Sequence, residues 1–348
     1  MHFGMFVEES RRGVDQAAAF REAFELADRA EAWGLDCVWL GEIHFNPARS
    51  VISASLQVAS SIATRTKRLR IGTAVTVIPL NHPLRIAEEI ATLDHISEGR
   101  VEFGIGRSGV VRSYDTYGVP YAESQGRFRE GLEIIRQAWT GQPFSYEGQF
   151  YRVQNATVAP TPYQTPHPPI RMAANSDETF PGAAKMGLHI FVGLRAAEIP
   201  DLRQRLASYR RAWRDAAHAG TGSAYIRIPV YVAPTDTAAR EEPRESLTSF
   251  FARQSELARA AVGRAGAGPA DRRRAQADRM ASLTYDDILA RKVVFGSPAR
   301  VVERLRELGG ELGLDGFIVE LNPGGLIPLE LERRSLQLLT HDVIPAFR

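Results

Sequence analysis

Apolar positions along the chain alternate between two periods from one end to the other. Residues 2–7 form a short apolar run, and residues 16–33 follow with Phe20, Phe24, Ala27 and Ala30 at three- and four-residue steps. That spacing is one face of a helix, and Gly34 stands where a C′ glycine would end it. The alternation then repeats. A strand is predicted over 37–41 with a helix over 53–63, and a strand over 69–77, rich in β-branched residues. The third helix is predicted to start with Asn81 as cap and Pro83 in the first turn. Its stripe is Ile86, Ile90, Leu93 and Ile96, and Gly99 stops it. A fourth strand over 101–105 leads through a loop to a helix over 125–139. Runs at 144–146 and 149–151 flank Glu147-Gly148, a two-residue hairpin signal, before a proline-rich stretch over 159–169. Strands over 170–174, 189–193 and 225–232 follow, the first two with helices over 178–186 and 199–217. In the second of these, Leu202, Leu206, Tyr209 and Trp213 form the apolar stripe. The chain ends on a helix over 298–309, a strand over 316–321 and a helix over 329–344.

Eight apolar strands alternating with helices make a parallel sheet, and eight is the number that closes into a TIM-type (β/α)8 barrel. The competing architecture is an open doubly wound sheet, whose reversal of strand order sequence does not reveal. Neither an internal repeat nor a linker divides the chain, so residues 1–348 are expected to form a single barrel domain with insertions at about 140–169 and 235–291. The second insertion is polar and rich in alanine and arginine. Its centre, 263–269, holds three glycines and a proline, so it cannot be one continuous stiff helix. It follows the seventh strand and therefore starts on the C-terminal rim, where a mobile element could close over a site. An inert insertion, or an arm packed on a second subunit, has the same composition.

Composition narrows the function classes. With 348 residues, 44% hydrophobic and 24% charged, the chain can bury a large core. A formal charge of +2 makes no demand for nucleic acid or membrane. Lysine stands only at Lys67, Lys185 and Lys292, so arginine supplies the other 40 of 43 basic residues. That bias suits oxyanion recognition by guanidinium forks, and equally a GC-rich coding genome. The single cysteine, Cys37, excludes internal disulfides and thiolate clusters, and its apolar surroundings make it a buried, inert thiol. The N-terminal residues lack a basic segment leading into an apolar one, and no run of about 18 apolar residues occurs, so a cytoplasmic protein is expected.

Residues 104–109 match Gly-x-Gly-x-x-Gly after a strand, which invites a dinucleotide reading. Such a site needs a helix opening at once and an acidic residue about 20 positions on, at the end of the next strand. Here 110–120 reads as loop, and Glu130 and Glu133 lie within a helix. The better reading places a close backbone approach to a ring or anion at this point, with Arg107 at the active end of a barrel strand. His44, His82 and His95 match no zinc spacing, so no metal site is expected, and there is no Gly-x-Ser-x-Gly elbow.

The segments Asn81-His82-Pro83-Leu84-Arg85, Thr92-Leu93-Asp94, Ser97-Glu98-Gly99-Arg100 and Gly104-Ile105-Gly106-Arg107 together resemble the bacterial luciferase-like flavin monooxygenases. Gly41-Glu42-Ile43-His44-Phe45 is similar to the family's Glu-His-His-Phe stretch after strand two. Ala173-Ala174-Asn175-Ser176-Asp177-Glu178-Thr179 is similar to its phosphate-binding turn, and Phe295-Gly296-Ser297-Pro298 and Asn322-Pro323-Gly324-Gly325 to its closing units. The resemblance runs through nearly the whole chain in the family's order.

It implies the following. His44 lines the flavin pocket and assists proton transfer, a task suited to an imidazole; a loop histidine without a role would look the same. Asn175, Ser176 and Thr179 hold the FMN phosphate at a helix start, with Arg107 as counter-charge beside Gly106 and Ser108. A plain N-cap at Ser176 would be indistinguishable in sequence. Ala74-Val75 carries a non-proline cis peptide beneath the isoalloxazine. The implied reaction takes reduced FMN from a separate NAD(P)H:flavin reductase and O2, and oxidises a small aldehyde- or ketone-like substrate through a flavin C4a-hydroperoxide, in a homodimer. The rivals are a deazaflavin-dependent oxidoreductase on the same fold and a non-catalytic flavin-binding partner subunit. Two departures stand out: Ile43 replaces a second histidine, and Gly106 stands where the light-emitting subunit has a reactive cysteine, which argues against light emission.

Overall fold

The computed structural model describes residues 1–8, 10–195, 197–264 and 270–348. Eight parallel strands close on one another: β1 (His2–Val7), β2 (Cys37–Leu40), β3 (Arg70–Thr73), β4 (Val101–Gly106), β5 (Ile170–Ala173), β6 (His189–Gly193), β7 (Ala224–Val232) and β8 (Gly316–Glu320). Each pairs with the next, and the ring shuts where Met5 of β1 lies opposite Val319 of β8. The expected barrel is therefore the observed fold, and the open sheet is excluded. Among the described residues, no helix is long and apolar enough to cross a membrane.

The inside of the barrel is filled by side chains. Trp39 and Cys37 of β2 are fully buried and pack with Phe6, Phe191, Tyr225 and Ile318. The indole takes its space from two glycines on the flanking strands. A Cβ at Gly4 would come within 2.4 Å of the Trp39 ring, and one at Gly72 within 2.2 Å. Outside, helices such as Gln16–Ala32, Pro83–Ile96 and Pro298–Leu312 bury an apolar face against the strands, although Ile96, read as part of the third helix's stripe, is exposed.

Four local expectations are corrected. The third strand does not run unbroken from 69 to 77, because it parts at the Ala74–Val75 peptide, which is cis, and resumes at Thr76–Val77. Between the pairs Gly72↔Glu102 and Thr76↔Ile105, β3 uses one residue more than β4. The Thr73 hydroxyl fills the gap in the ladder, donating to Gly104 O at 2.7 Å and accepting from Gly104 N at 3.0 Å. Asn81 does not cap the third helix, whose N-cap is His82; its amide donates instead to Val77 O at 3.1 Å. The hairpin pairs Phe144–Glu147 with Arg152–Ala156, so its connection is longer than two residues. The loop expected over 110–120 contains the helix Val111–Tyr117, because Tyr114 is fully buried against Val111, Tyr121 and Ala261 and Gly118 takes the left-handed conformation that ends the helix.

Among the described residues, the stretch after β7 folds as four helices, Asp236–Glu241, Arg244–Ala260, Ala270–Ala281 and Tyr285–Arg291, and a short strand, Val294–Gly296, pairs with the end of β7. The glycine-rich centre expected to interrupt a continuous helix lies, over 265–269, outside the described residues.

Candidate functional site

Residues 44, 74–75, 106–108 and 175–179 all stand at or just after the C-terminal ends of consecutive strands, β2 to β5. Barrel geometry thus gathers them on one half of one rim. The register Ile105↔Met172 puts Arg107 and Asn175 just beyond the ends of neighbouring strands.

His44 is held from two sides. Its Nε2 lies 2.7 Å from Glu42 Oε1, and its Nδ1 lies 3.2 Å from the Tyr117 hydroxyl. Glu42 is anchored in turn, since its Oε2 accepts from Val77 N at 3.2 Å. Phe45, directly after His44, sits in the left-handed region at φ 54°. The Tyr117 ring packs against both His44 and Phe45, with centroids 5.2 and 5.0 Å apart. Burial, then the Glu42 carboxylate, push the Tyr117 phenol above its ordinary value, so it faces the imidazole as a protonated donor.

His44, Glu42, Arg49, Val77 and Ser108 line one cleft of about 340 Å³, part of it open to solvent, and Leu257 of helix Arg244–Ala260 borders it. Ser108 sits at φ 58°, its Oγ accepts from Val110 N at 3.2 Å, and its carbonyl accepts from Tyr121 at 3.3 Å. Next to it, a Cβ at Gly106 would lie 2.9 Å from Val75 Cγ2, so Val75 rests directly on the glycine. Arg107 Nη1 donates to the buried Ser124 hydroxyl at 2.9 Å, and its carbonyl accepts from Tyr114. Across on β5, the hydroxyls of Ser176 and Thr179 are 2.8 Å apart, and Asn175 is exposed beside them. The helix they introduce is short, Thr179–Lys185, and its N-cap is Glu178 rather than Ser176.

The structure therefore brings His44 and Ser108 into one cleft and Val75 onto Gly106. Arg107 and the Ser176–Thr179 pair occupy adjacent strand exits without a direct contact to each other. Sequence reasoning missed Glu42 as the partner of His44, although it stands in the same motif. It also missed Tyr117, which falls in the segment read as loop, and Arg49 and Leu257, whose position on the cleft no local pattern announces. His82 packs against Tyr151, and His95 Nε2 lies 2.9 Å from Thr161 O, both away from the cleft. Among the described residues, no three histidine, cysteine or carboxylate side chains group as a metal site.

Comparison with known proteins identifies the family. The family model for luciferase-like monooxygenases matches residues 1–316. An uncharacterized protein of Sinorhizobium fredii is 36% identical over 188 residues, a match covering 54% of this chain and 55% of that protein, so the chain spans about half the length of that relative. The oxygenase component of the flavin-dependent trigonelline monooxygenase of Acinetobacter baylyi is 25% identical over 100% of this chain and 96% of its own length. The oxygenating constituent of 3,6-diketocamphane monooxygenase from Pseudomonas putida, solved with FMN, superposes with a TM-score of 0.84 at 21% identity, over 99% of this chain and 98% of that one. The chain belongs to the luciferase-like monooxygenase family.

Proposed function

We propose that this chain, working as one barrel domain over residues 1–348 and as a cytoplasmic homodimer, is the oxygenase component of a two-component FMN-dependent monooxygenase. It takes reduced FMN from a separate NAD(P)H:flavin reductase and uses O2 to oxidise a small organic substrate, aldehyde- or ketone-like at its reacting end. The observation that carries this reading is the His44–Glu42 pair in a cleft at the C-terminal rim of the barrel, with Val75 resting on Gly106 and the donors of β4 and β5 on the same rim.

The residues present fit such a ligand. Thr76 Oγ1, immediately after the cis peptide, is buried and has no hydrogen-bond partner. Ser176 and Thr179 offer two hydroxyls close enough to donate to one anion, and Arg107 offers a guanidinium one strand away. In this reading Ala74, Val75 and Gly106 support the ring, while Arg107, Ser108, Asn175, Ser176 and Thr179 hold the phosphate end. Reduced flavin, when bound, supplies the electrons that activate oxygen. The protein binds, orients and shields. His44, fixed by Glu42, holds or moves a proton at Nδ1, and Leu257 with its helix limits the access of water.

If a phosphate is recognised, FMN binds more tightly than riboflavin, by about tenfold or more for a charge-assisted contact. Isothermal calorimetry on the two ligands checks this. Equal affinities would remove the phosphate assignment of Arg107, Ser176 and Thr179.

A further inference from the structure

Both ring nitrogens of His44 are engaged, Nε2 at 2.7 Å from Glu42 Oε1 and Nδ1 at 3.2 Å from the Tyr117 hydroxyl. A proton that reaches the imidazole from water along hydrogen bonds therefore passes through Glu42 or through Tyr117. The two differ in what lies behind them. The Glu42 side chain is 7% exposed and is engaged from within the protein, accepting from Val77 N at 3.2 Å and from Asn81 Nδ2 at 3.4 Å. Tyr117 is 46% exposed, beside an imidazole that is 12% exposed. The phenol thus spans the step from solvent to the ring.

Local structure keeps it there. Tyr117 is the last residue of helix Val111–Tyr117, which ends at left-handed Gly118. One turn back, Tyr114 is fully buried and its hydroxyl donates to Arg107 O. Asp115 pairs with Arg264, just past helix Arg244–Ala260. The rings of His44 and Phe45 flank the phenol with centroids 5.2 and 5.0 Å away. Two ring contacts and an anchored helix hold a side chain that its exposure alone would leave free to turn.

We propose, on the reading of His44 as the proton-handling group of an oxygenase, that Tyr117 is its proton relay, the hydroxyl through which Nδ1 exchanges protons with water. Tyr117 acts through His44 and is in that sense a positioning residue. A hydroxyl donates one hydrogen bond and accepts another at the same time, whereas a carboxylate only accepts. Burial, then the Glu42 carboxylate, hold the phenol above its ordinary value, so the transfer does not pass through a standing phenolate. Inward, a proton from water or a buffer acid bonds to Tyr117 Oη as the existing O–H proton passes to Nδ1. The phenol ends as it began, and the imidazole carries one proton more, a positive charge facing Glu42. Outward, the same bonds form and break in reverse.

The test uses the full chain without flavin, isotope-labelled at its histidine ring nitrogens. Magnetic resonance with saturation of the water signal reads how fast the His44 Nε2–H exchanges, and the spectrum of His44→Ala identifies that signal. In a neutral imidazole this exchange starts with protonation at the opposite nitrogen, here Nδ1. Tyr117→Phe keeps the ring against His44 and Phe45 and removes only the hydroxyl. It is expected to slow the exchange by about tenfold or more with Tm unchanged, and a fluorinated tyrosine at position 117 to keep the exchange fast. Exchange in Tyr117→Phe as fast as wild type or faster would overturn the proposal, because water would then reach the imidazole without the phenol. Exchange with the fluorinated tyrosine as slow as with phenylalanine would overturn it too, since ring packing rather than the hydroxyl would set the rate. The exchange needs no flavin, so its failure leaves the FMN reading standing, and failure to bind reduced FMN leaves the exchange measurable.

Discussion

A carboxylate can only accept, so Glu42 Oε1 at 2.7 Å takes a hydrogen bond from His44 Nε2–H, and in that tautomer Nδ1 is the acceptor toward Tyr117. The arrangement fixes both the tautomer and the ring plane, which is what a proton-handling imidazole needs. His44→Ala is therefore expected to lower turnover by about 10²–10⁴-fold, with flavin affinity kept within a few fold. Steady-state turnover and a flavin titration of the same preparation check it, and wild-type turnover would reduce His44 to a loop residue. His44 was legible because a motif carried it. Its contact with Glu42 was not, since a two-residue separation does not say whether the two side chains turn toward each other.

A second histidine adds to the acid sensitivity of the fold. His189 stacks on Trp213, with centroids 5.7 Å apart, and its Nδ1 accepts from Ser223 N at 3.1 Å. Burial, then Arg171, push it down to about 4 from the ordinary 6.5. Its folded-state value is depressed, so its contribution is fully present above pH 6.5 and is lost as pH falls toward 4, because the unfolded chain takes up a proton that the folded one refuses. The loss reaches up to about 3 kcal/mol. Denaturant melts between pH 7 and 4 should show this slope, and His189→Gln, which keeps an acceptor for Ser223 N, should flatten it. An unchanged slope would place the acid lability elsewhere.

Among the elements, β3 and the insertion depart most from a regular barrel, and both border the site. The break in β3 needs Thr73 to bridge to Gly104, where any Cβ would fall 1.7 Å from Thr73 O. In the sequence this stretch is rich in β-branched residues, so it reads as one strand, and only the family resemblance pointed to Ala74–Val75. The insertion is reached the other way. Its composition suggested helix with an interruption, but contact with the cleft comes through Leu257, and contact with helix Val111–Tyr117 through Ala261 and the Arg264–Asp115 ion pair. A helix that shields the cleft should matter for coupling more than for folding. Leu257→Ser is expected to raise hydrogen peroxide released per flavin oxidised by a few fold, with Tm little changed. Peroxide release equal to wild type, with intact product yield, would make the insertion a packing element only.

For the molecule as a whole, the strand–helix alternation was readable because each unit buries its own apolar face, and burial writes its period locally into the chain. Closure of the ring followed from the count of eight. The half of the mouth formed by β2 to β5 was also readable, since its residues stand in short motifs at strand ends. The other half was not. Glu8, Arg49, Arg227 and Glu320 meet only because the barrel closes, and no sequence window contains more than a fraction of them. The same holds for Leu257, brought to the cleft by a long excursion after β7.

The reading of the chain as a reduced-FMN oxygenase meets its sharpest check in an anaerobic titration with reduced FMN, followed by a pulse of oxygen under continuous absorbance recording. The account predicts saturable binding of reduced FMN. It also predicts that oxidised flavin appears more slowly after the pulse than in protein-free solution, with the delay shortened in His44→Ala. If reduced FMN does not bind, or if bound flavin reoxidises as fast as free flavin while reduced deazaflavin passes hydride to a substrate without oxygen, the chain is a deazaflavin oxidoreductase or a flavin-binding subunit and the account is wrong.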